Sequence, residues 1–258
     1  MLLRYLNRLS GGRRTESADR HLGYFLAFIA GAVNAGGFLA IGQYTSHITG
    51  IVSSLADNLA LGEITVAMAA LTAWIAFVAG AATTAILINL ARRQHLRSEF
   101  ALSLLVEAVL LLFFGITGAY LTHLHEFLAP VTILLLCFIM GLQNAIITKV
   151  SGAVIRTTHL TGMTTDLGIE LGKLLYANRL VIPPLTVRAN RTKLALHSRL
   201  IGSFLVGGVA GALGFKHLGY SAAFLLSALL VLLAVAPIWL DIKIRWKLHA
   251  RKNRRKAR

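Results

Sequence analysis

The chain has 258 residues, 56% of them hydrophobic and only 14% charged, with a mean hydropathy of +0.70. An ordinary soluble domain carries about 25% charged residues, so a water-soluble fold could not cover this surface and a membrane protein is expected. Lys and Arg number 26 against 10 Asp and Glu, a net charge of +16, which fits attraction to anionic lipid headgroups better than nucleic-acid binding, because the basic tail follows directly on an apolar span.

The chain opens with a basic segment, 1–21. Ala30-Gly31-Ala32 has the form of a signal-peptidase site, but a protein with further spans is expected to keep its first one. Six apolar segments follow, at 22–41, 65–90, 101–121, 130–148, 199–215 and 220–240. Each approaches the roughly 20 helical residues needed to cross about 30 Å of hydrocarbon. Pro130 suits a helix start, and Pro237 lies near a helix end, where it can kink the chain. The connections alternate in charge. If both termini are cytoplasmic, 25 of the 26 Lys and Arg residues fall inside and only Lys216 falls outside, an asymmetry that fixes orientation.

Two polar motifs interrupt the apolar chain. Thr45-Ser46-His47-Ile48-Thr49-Gly50 matches Thr157-Thr158-His159-Leu160-Thr161-Gly162. Upstream, Gly31 to Gly37 (GAVNAGG) resembles Gly141 to Ala145 (GLQNA), which aligns Asn34 with Asn144. Downstream, Phe77 to Ala82 loosely echoes Phe204 to Gly211. Each copy reads as one span, a motif, a short helix and two more spans. Three spans is an odd number, so the second copy runs inverted through the membrane, as in many secondary transporters. The expected fold is an all-α membrane protein of about six transmembrane helices in two inverted three-helix repeats, 22–121 and 122–240, each with a broken helix and a short half-helix. A cytoplasmic insertion covers 178–197, and 241–258 forms a basic cytoplasmic tail.

The glycine after threonine in each motif marks the expected helix break, with short helices over 51–61 and 163–177. Thr49 or Ser53, and Thr161 or Thr164, are the candidate N-caps. Half-helix N-termini favour anions. Two readings stay open for the motifs: chain turns at the membrane surface, or a shared solute site near the midplane lined by Asn34, His47, Thr49, Asn144, His159, Thr161 and Asp166. Asp166 and Glu107 are candidates for proton coupling, since Glu107 sits in the middle of the third span, where a charge costs several kcal/mol unless paired or protonated. Glu170 and Lys173 read as a solvated helix face. Ala27, Gly31 and Ala35, with Gly207 and Gly211, have the spacing of close helix packing.

Cys137 stands alone, which excludes an internal disulfide and a CxxC metal site. No nucleophile elbow, phosphate loop, dinucleotide fingerprint or zincin motif is present, so neither enzyme activity, metal nor cofactor is expected. GLQNA followed by RTTHLTGMTTDLG, with the earlier YTSHITG, resembles the YoaK-type family of small bacterial integral membrane proteins over roughly Gly23 to Leu240. The resemblance implies a bacterial inner-membrane protein of about six helices and supplies no established activity or site residues. The family pattern often places Asn after the first Thr-Gly, where this chain has Ile51. The expected function is secondary transport of a small solute, with anions among the candidates and proton coupling as one option. The alternative is a membrane scaffold or sensor acting through its basic tail. Anionic lipid is the expected partner, and a homo-oligomer is compatible with the sequence.

Overall fold

The computed structural model describes residues 15–96, 98–121, 125–152, 155–176 and 186–256. Eight α-helices occupy these residues: α1 (Glu16–Ile41), α2 (Ile48–Ala60), α3 (Ile64–Arg93), α4 (Ala101–Leu121), α5 (His125–Val150), α6 (Leu160–Leu175), α7 (Arg191–Leu218) and α8 (Ala222–Lys256), with one 3-10 turn at Gly219–Ser221. Among the described residues there is no strand. Five runs are long and apolar enough to cross a membrane: Glu16–Ile41, Ile64–Arg93, Ala101–Gly118, Leu128–Val150 and Arg191–Ile244. The chain is therefore a helical, multi-pass membrane protein.

Local chemistry sets the helix ends. Thr15 caps α1 by accepting from the Ala18 backbone N–H at 3.3 Å, and Glu16 and Asp19 in the first turn complement the helix dipole. Gly42, at φ +71°, closes α1 in the left-handed conformation, and Gly152, at φ +60°, follows the end of α5. Asn190 caps α7 by accepting from the Lys193 N–H at 3.0 Å. The helix therefore begins at Arg191, inside the stretch expected as the insertion 178–197; residues 178–185 of that stretch lie outside the described residues. Neither proline ends a helix: Pro130 lies inside α5 and Pro237 inside α8.

The bundle is organised by two close crossings. Four helices carry the same spacing, Phe28 with Gly31, Phe77 with Gly80, Phe138 with Gly141 and Phe204 with Gly207. A Cβ on Gly31 would strike the carbonyl oxygen of Phe204, and one on Gly207 that of Phe28. Likewise, a Cβ on Gly80 would strike the carbonyl of Phe138, and one on Gly141 that of Phe77. All four approaches are closer than the 3.0 Å that real Cβ atoms respect, so only glycine lets the backbones meet. The expected close packing at Gly31, Gly207 and Gly211 is present, since Gly211 abuts Ala32.

Contact order along these pairs gives their directions. Phe28 lies beside Gly207 and Ala32 beside Gly211, so α1 and α7 run the same way. Gly80 lies beside Phe138, and the Thr84 hydroxyl donates to the Leu142 carbonyl at 3.0 Å, so α3 and α5 run the same way. Gly23 faces Ile147 whereas Gly37 faces Leu136, so α1 and α5 are antiparallel. The pair α4 and α8 is antiparallel too: Tyr220 packs on Gly118, the Ser227 hydroxyl donates to the Ala108 carbonyl at 2.7 Å, and Asp241 accepts from the backbone and hydroxyl of Ser98 at 2.8 and 2.7 Å. The start of α1, the end of α5 and the start of α7 thus share one end of the bundle, the proximal end. The end of α1 and the starts of α3 and α5 share the distal end. The core is continuous and built mainly from α1, α4, α5 and α8, with Leu26, Ile29, Leu104, Phe114, Ile139, Met140 and Leu230 all buried, and α7 adds Leu196, Leu200 and Phe215.

Candidate functional site: two paired histidine motifs

After Gly42 the chain turns back along α1. Ser46 donates its hydroxyl, at 2.8 Å, and its backbone N–H, at 3.4 Å, to Oδ1 of Asn34. Asn34 lies seven residues before the end of α1, so the motif has returned about 10 Å along the helix. The second motif repeats this construction. Thr158 donates its hydroxyl, at 2.9 Å, and its N–H, at 3.4 Å, to Oδ1 of Asn144, and the Thr157 hydroxyl adds a third bond at 3.2 Å. Asn144 lies six residues before the end of α5. Each asparagine stands three residues beyond a crossing glycine, Gly31 or Gly141. Both motifs therefore reach within about one helical turn, roughly 5 Å, of the crossings. They fold back against α1 and α5 and are held there by the two asparagines. Thr45 and Thr157, the residues on which they seat, are buried.

The short helices begin at the histidines. His47 and His159 occupy the N-cap positions of α2 and α6, and neither makes a side-chain cap bond. This corrects the expectation that Thr49 or Ser53, and Thr161 or Thr164, cap these helices. It also moves the break: the glycines after threonine, Gly50 and Gly162, lie within the first helical turns, and the left-handed residues that precede the motifs are Gly42 and Gly152. The real reason for Gly50 and Gly162 is steric. A Cβ on Gly50 would meet the His47 ring, and a Cβ on Gly162 would meet the His159 ring, both closer than 3.0 Å. Each imidazole folds over the glycine three residues later, so His-x-x-Gly is one packing unit.

His47 lines a cavity of about 400 Å³ between α2, α3 and α5, together with Gly50, Ser54, Ala69, Ala73 and Ile133. None of its lining residues comes from 156–176. The motifs approach from opposite ends of the antiparallel α1–α5 pair, and α2 packs on α3 while α6 packs on α7. His47 thus faces a cavity lined from α2, α3 and α5, whereas His159 stands at the start of α6, which packs on α7. Thr49 and Thr161 are exposed, in the first turns of α2 and α6.

The flank holding His159 carries the charges. Asp166 accepts from the Lys193 ammonium at 3.0 Å and lies 3.9 Å from Nδ1 of the buried His197. The hydrogen bond from Lys193 holds the Asp166 carboxyl below its usual range, with His197 and His159 adding to the effect against partial desolvation. Glu170 is buried, contrary to the expected solvated face. It accepts from Lys173 at 2.9 Å and from the Asn190 backbone N–H at 2.6 Å, and those bonds hold its carboxyl low as well. Lys193, His197 and Asn190 were not foreseen, because no spacing rule links them to α6 across the intervening loop.

Glu107 lies fully buried on α4, one turn from Ser103. Both its carboxylate oxygens, the Ser103 hydroxyl and the side-chain amide of Gln143 on α5 lack a hydrogen-bond partner among the described residues. Gln143 was visible in the sequence, inside GLQNA, but unremarked beside Asn144.

A family model described as "Protein of unknown function (DUF1275)" matches residues 22–236. No curated protein and no solved structure matches the chain.

Proposed function

We propose that the chain, which belongs to the DUF1275 family of proteins of unknown function, is a secondary transporter of a small, anionic solute. This family membership agrees with the resemblance to the YoaK-type proteins. The observation that carries the transport reading is the paired construction of the two motifs. Each returns into the bundle, is pinned by an asparagine beside a crossing glycine, and presents a histidine at the start of a short helix. The N-terminal ends of half-helices are where transporters hold charged substrates.

The reading takes the architecture as six spans in two inverted repeats. The run Arg191–Ile244 has 54 residues, about 80 Å of helix, more than twice the hydrocarbon thickness. Gly219, at φ +59°, divides it. The repeats exchange partners, α1 with α7 and α3 with α5, and the Phe-x-x-Gly crossings are the surfaces on which one half moves against the other. Arg20, Arg92, Lys149, Arg191 and Arg199 at the proximal end favour a cytoplasmic side there in a bacterial inner membrane. His47 and His159, with Asn34, Asn144, Thr49, Thr161 and Asp166, bind solute in alternation at their two flanks, and Glu107 carries the coupled proton.

The test is uptake of a panel of small organic anions into proteoliposomes under an imposed pH gradient. Accumulation that needs the gradient is expected, with His47→Ala and His159→Ala each reducing the rate at least tenfold and Glu107→Gln uncoupling it from pH. If no solute moves, or if the histidine variants match the wild type, the reading fails. Loss of a cellular phenotype on deleting 245–258, with the histidine variants tolerated, replaces it with the scaffold reading.

A further inference from the structure

Two cavities along α1 and α7 share Tyr24 and are taken together as one groove that opens at the proximal end. At its mouth is a cavity of about 280 Å³ lined by Arg20, Tyr24, Arg191, Thr192, Leu196 and Arg199. Three guanidinium groups meet there. Arg20 pairs with the exposed Glu16 carboxylate, whereas neither Arg191 nor Arg199 has an acidic partner among the described residues. Tyr24 also belongs to the next cavity, about 560 Å³, lined by His21, Phe25, Phe28, Ser203 and Leu229. From Arg20 to Phe28 is eight residues, about 12 Å along α1.

We infer that this groove is a binding site for one anionic phospholipid of the facing leaflet. The chemistry is graded as such a molecule requires. A cluster of arginines, whose planar forks suit phosphate oxygens, stands at the end of the bundle. An aromatic and aliphatic channel then continues inward for about the depth of the first half of an acyl chain. A free anion would use only the mouth, and a neutral lipid only the channel. Basic pockets between helices on one face are a known means of selecting lipid headgroups; here the same two helices, with Leu229 of α8, also supply the walls for the chain.

The test is native mass spectrometry of the full chain in detergent, titrated with dioleoylphosphatidylglycerol or dioleoylphosphatidylcholine. One phosphatidylglycerol is expected to remain bound where phosphatidylcholine does not. Arg191→Gln with Arg199→Gln should weaken retention on the order of 30-fold, from about fivefold for each surface cation. Ser203→Phe fills the channel and should weaken it comparably with all three arginines intact, which keeps the test valid if the double variant does not fold. Arg93→Gln with Lys149→Gln, elsewhere on the proximal end, should leave retention unchanged. The inference is overturned if that control pair loses lipid equally, if Ser203→Phe retains it, or if millimolar inorganic phosphate displaces it.

Discussion

Replacing Gly80 by Ala tests the crossing of α3 and α5 directly. The new methyl would lie closer than 3.0 Å to the Phe138 carbonyl, where ordinary contact begins at 3.4 Å. The opposing atoms are helix backbone, which cannot rotate away as a side chain can. The helices must separate by several tenths of an ångström along their most extensive contact, so the cost should lie near the upper end of the ~1–3 kcal/mol range for overpacking. Alanine also gains roughly 0.5–1 kcal/mol over glycine inside a helix. The net loss is then about 2 kcal/mol, or ~4–8 °C in melting temperature for a chain of this size. Gly168→Ala supplies the control, because nothing lies within 4 Å of its added Cβ, and it should leave stability unchanged or slightly raised. The assay is thermal unfolding in one detergent, followed by loss of monodisperse protein. Equal melting of the two variants would refute the packing argument.

Asn144→Ala removes the acceptor for Thr157 and Thr158, and at roughly 0.6 kcal/mol for each of three bonds in a membrane bundle it should destabilise by about 2 kcal/mol and speed amide exchange across 155–160; unchanged exchange would argue that the asparagine does not hold the motif. Gly162→Ala should destabilise the wild type but be tolerated in a His159→Ala background, a non-additive double-mutant cycle; additivity would mean that the ring does not pack on the glycine. Asp166 and Glu170 have carboxyls lowered by folding, so their contribution is present above their ordinary ranges, near 3.8 and 4.5, and is lost as pH falls below them. The stability gap between wild type and Glu170→Gln, measured by melting from pH 7 to pH 3, should therefore close toward the acid end, and a gap that widened would contradict the sign.

The apolar runs were legible because hydrocarbon imposes a length that composition alone reveals: the spans expected at 65–90 and 101–121 are found at Ile64–Arg93 and Ala101–Leu121. The start of α7 was hidden, since the Asn190 cap precedes a first turn with Arg191 and Lys193 that reads as loop. The pairing of Asn34 with Asn144 and of His47 with His159 was visible as repetition, but their roles were not. Repetition marks equivalence; it carries no information on which atoms meet. Phe-x-x-Gly was present four times, though only its second and fourth copies were compared, and only the folded chain reveals that each glycine lies against the phenylalanine of a partner helix. The cluster of Asp166, Lys193 and His197 depends on the packing of α6 against α7, which no local pattern encodes.

The exchange of partners between α1 and α7 also has a consequence for biosynthesis. Gly207 follows Gly31 by 176 residues, which at about 5–20 residues per second takes roughly 10–35 s to synthesise. Throughout that interval α1 has no Phe204 carbonyl to meet. The early helices must wait in the bilayer with their glycine faces uncovered, and the bundle closes only when the late helices arrive. Two half-chains, each mute when made alone, should therefore assemble when made together, because each carries what the other lacks.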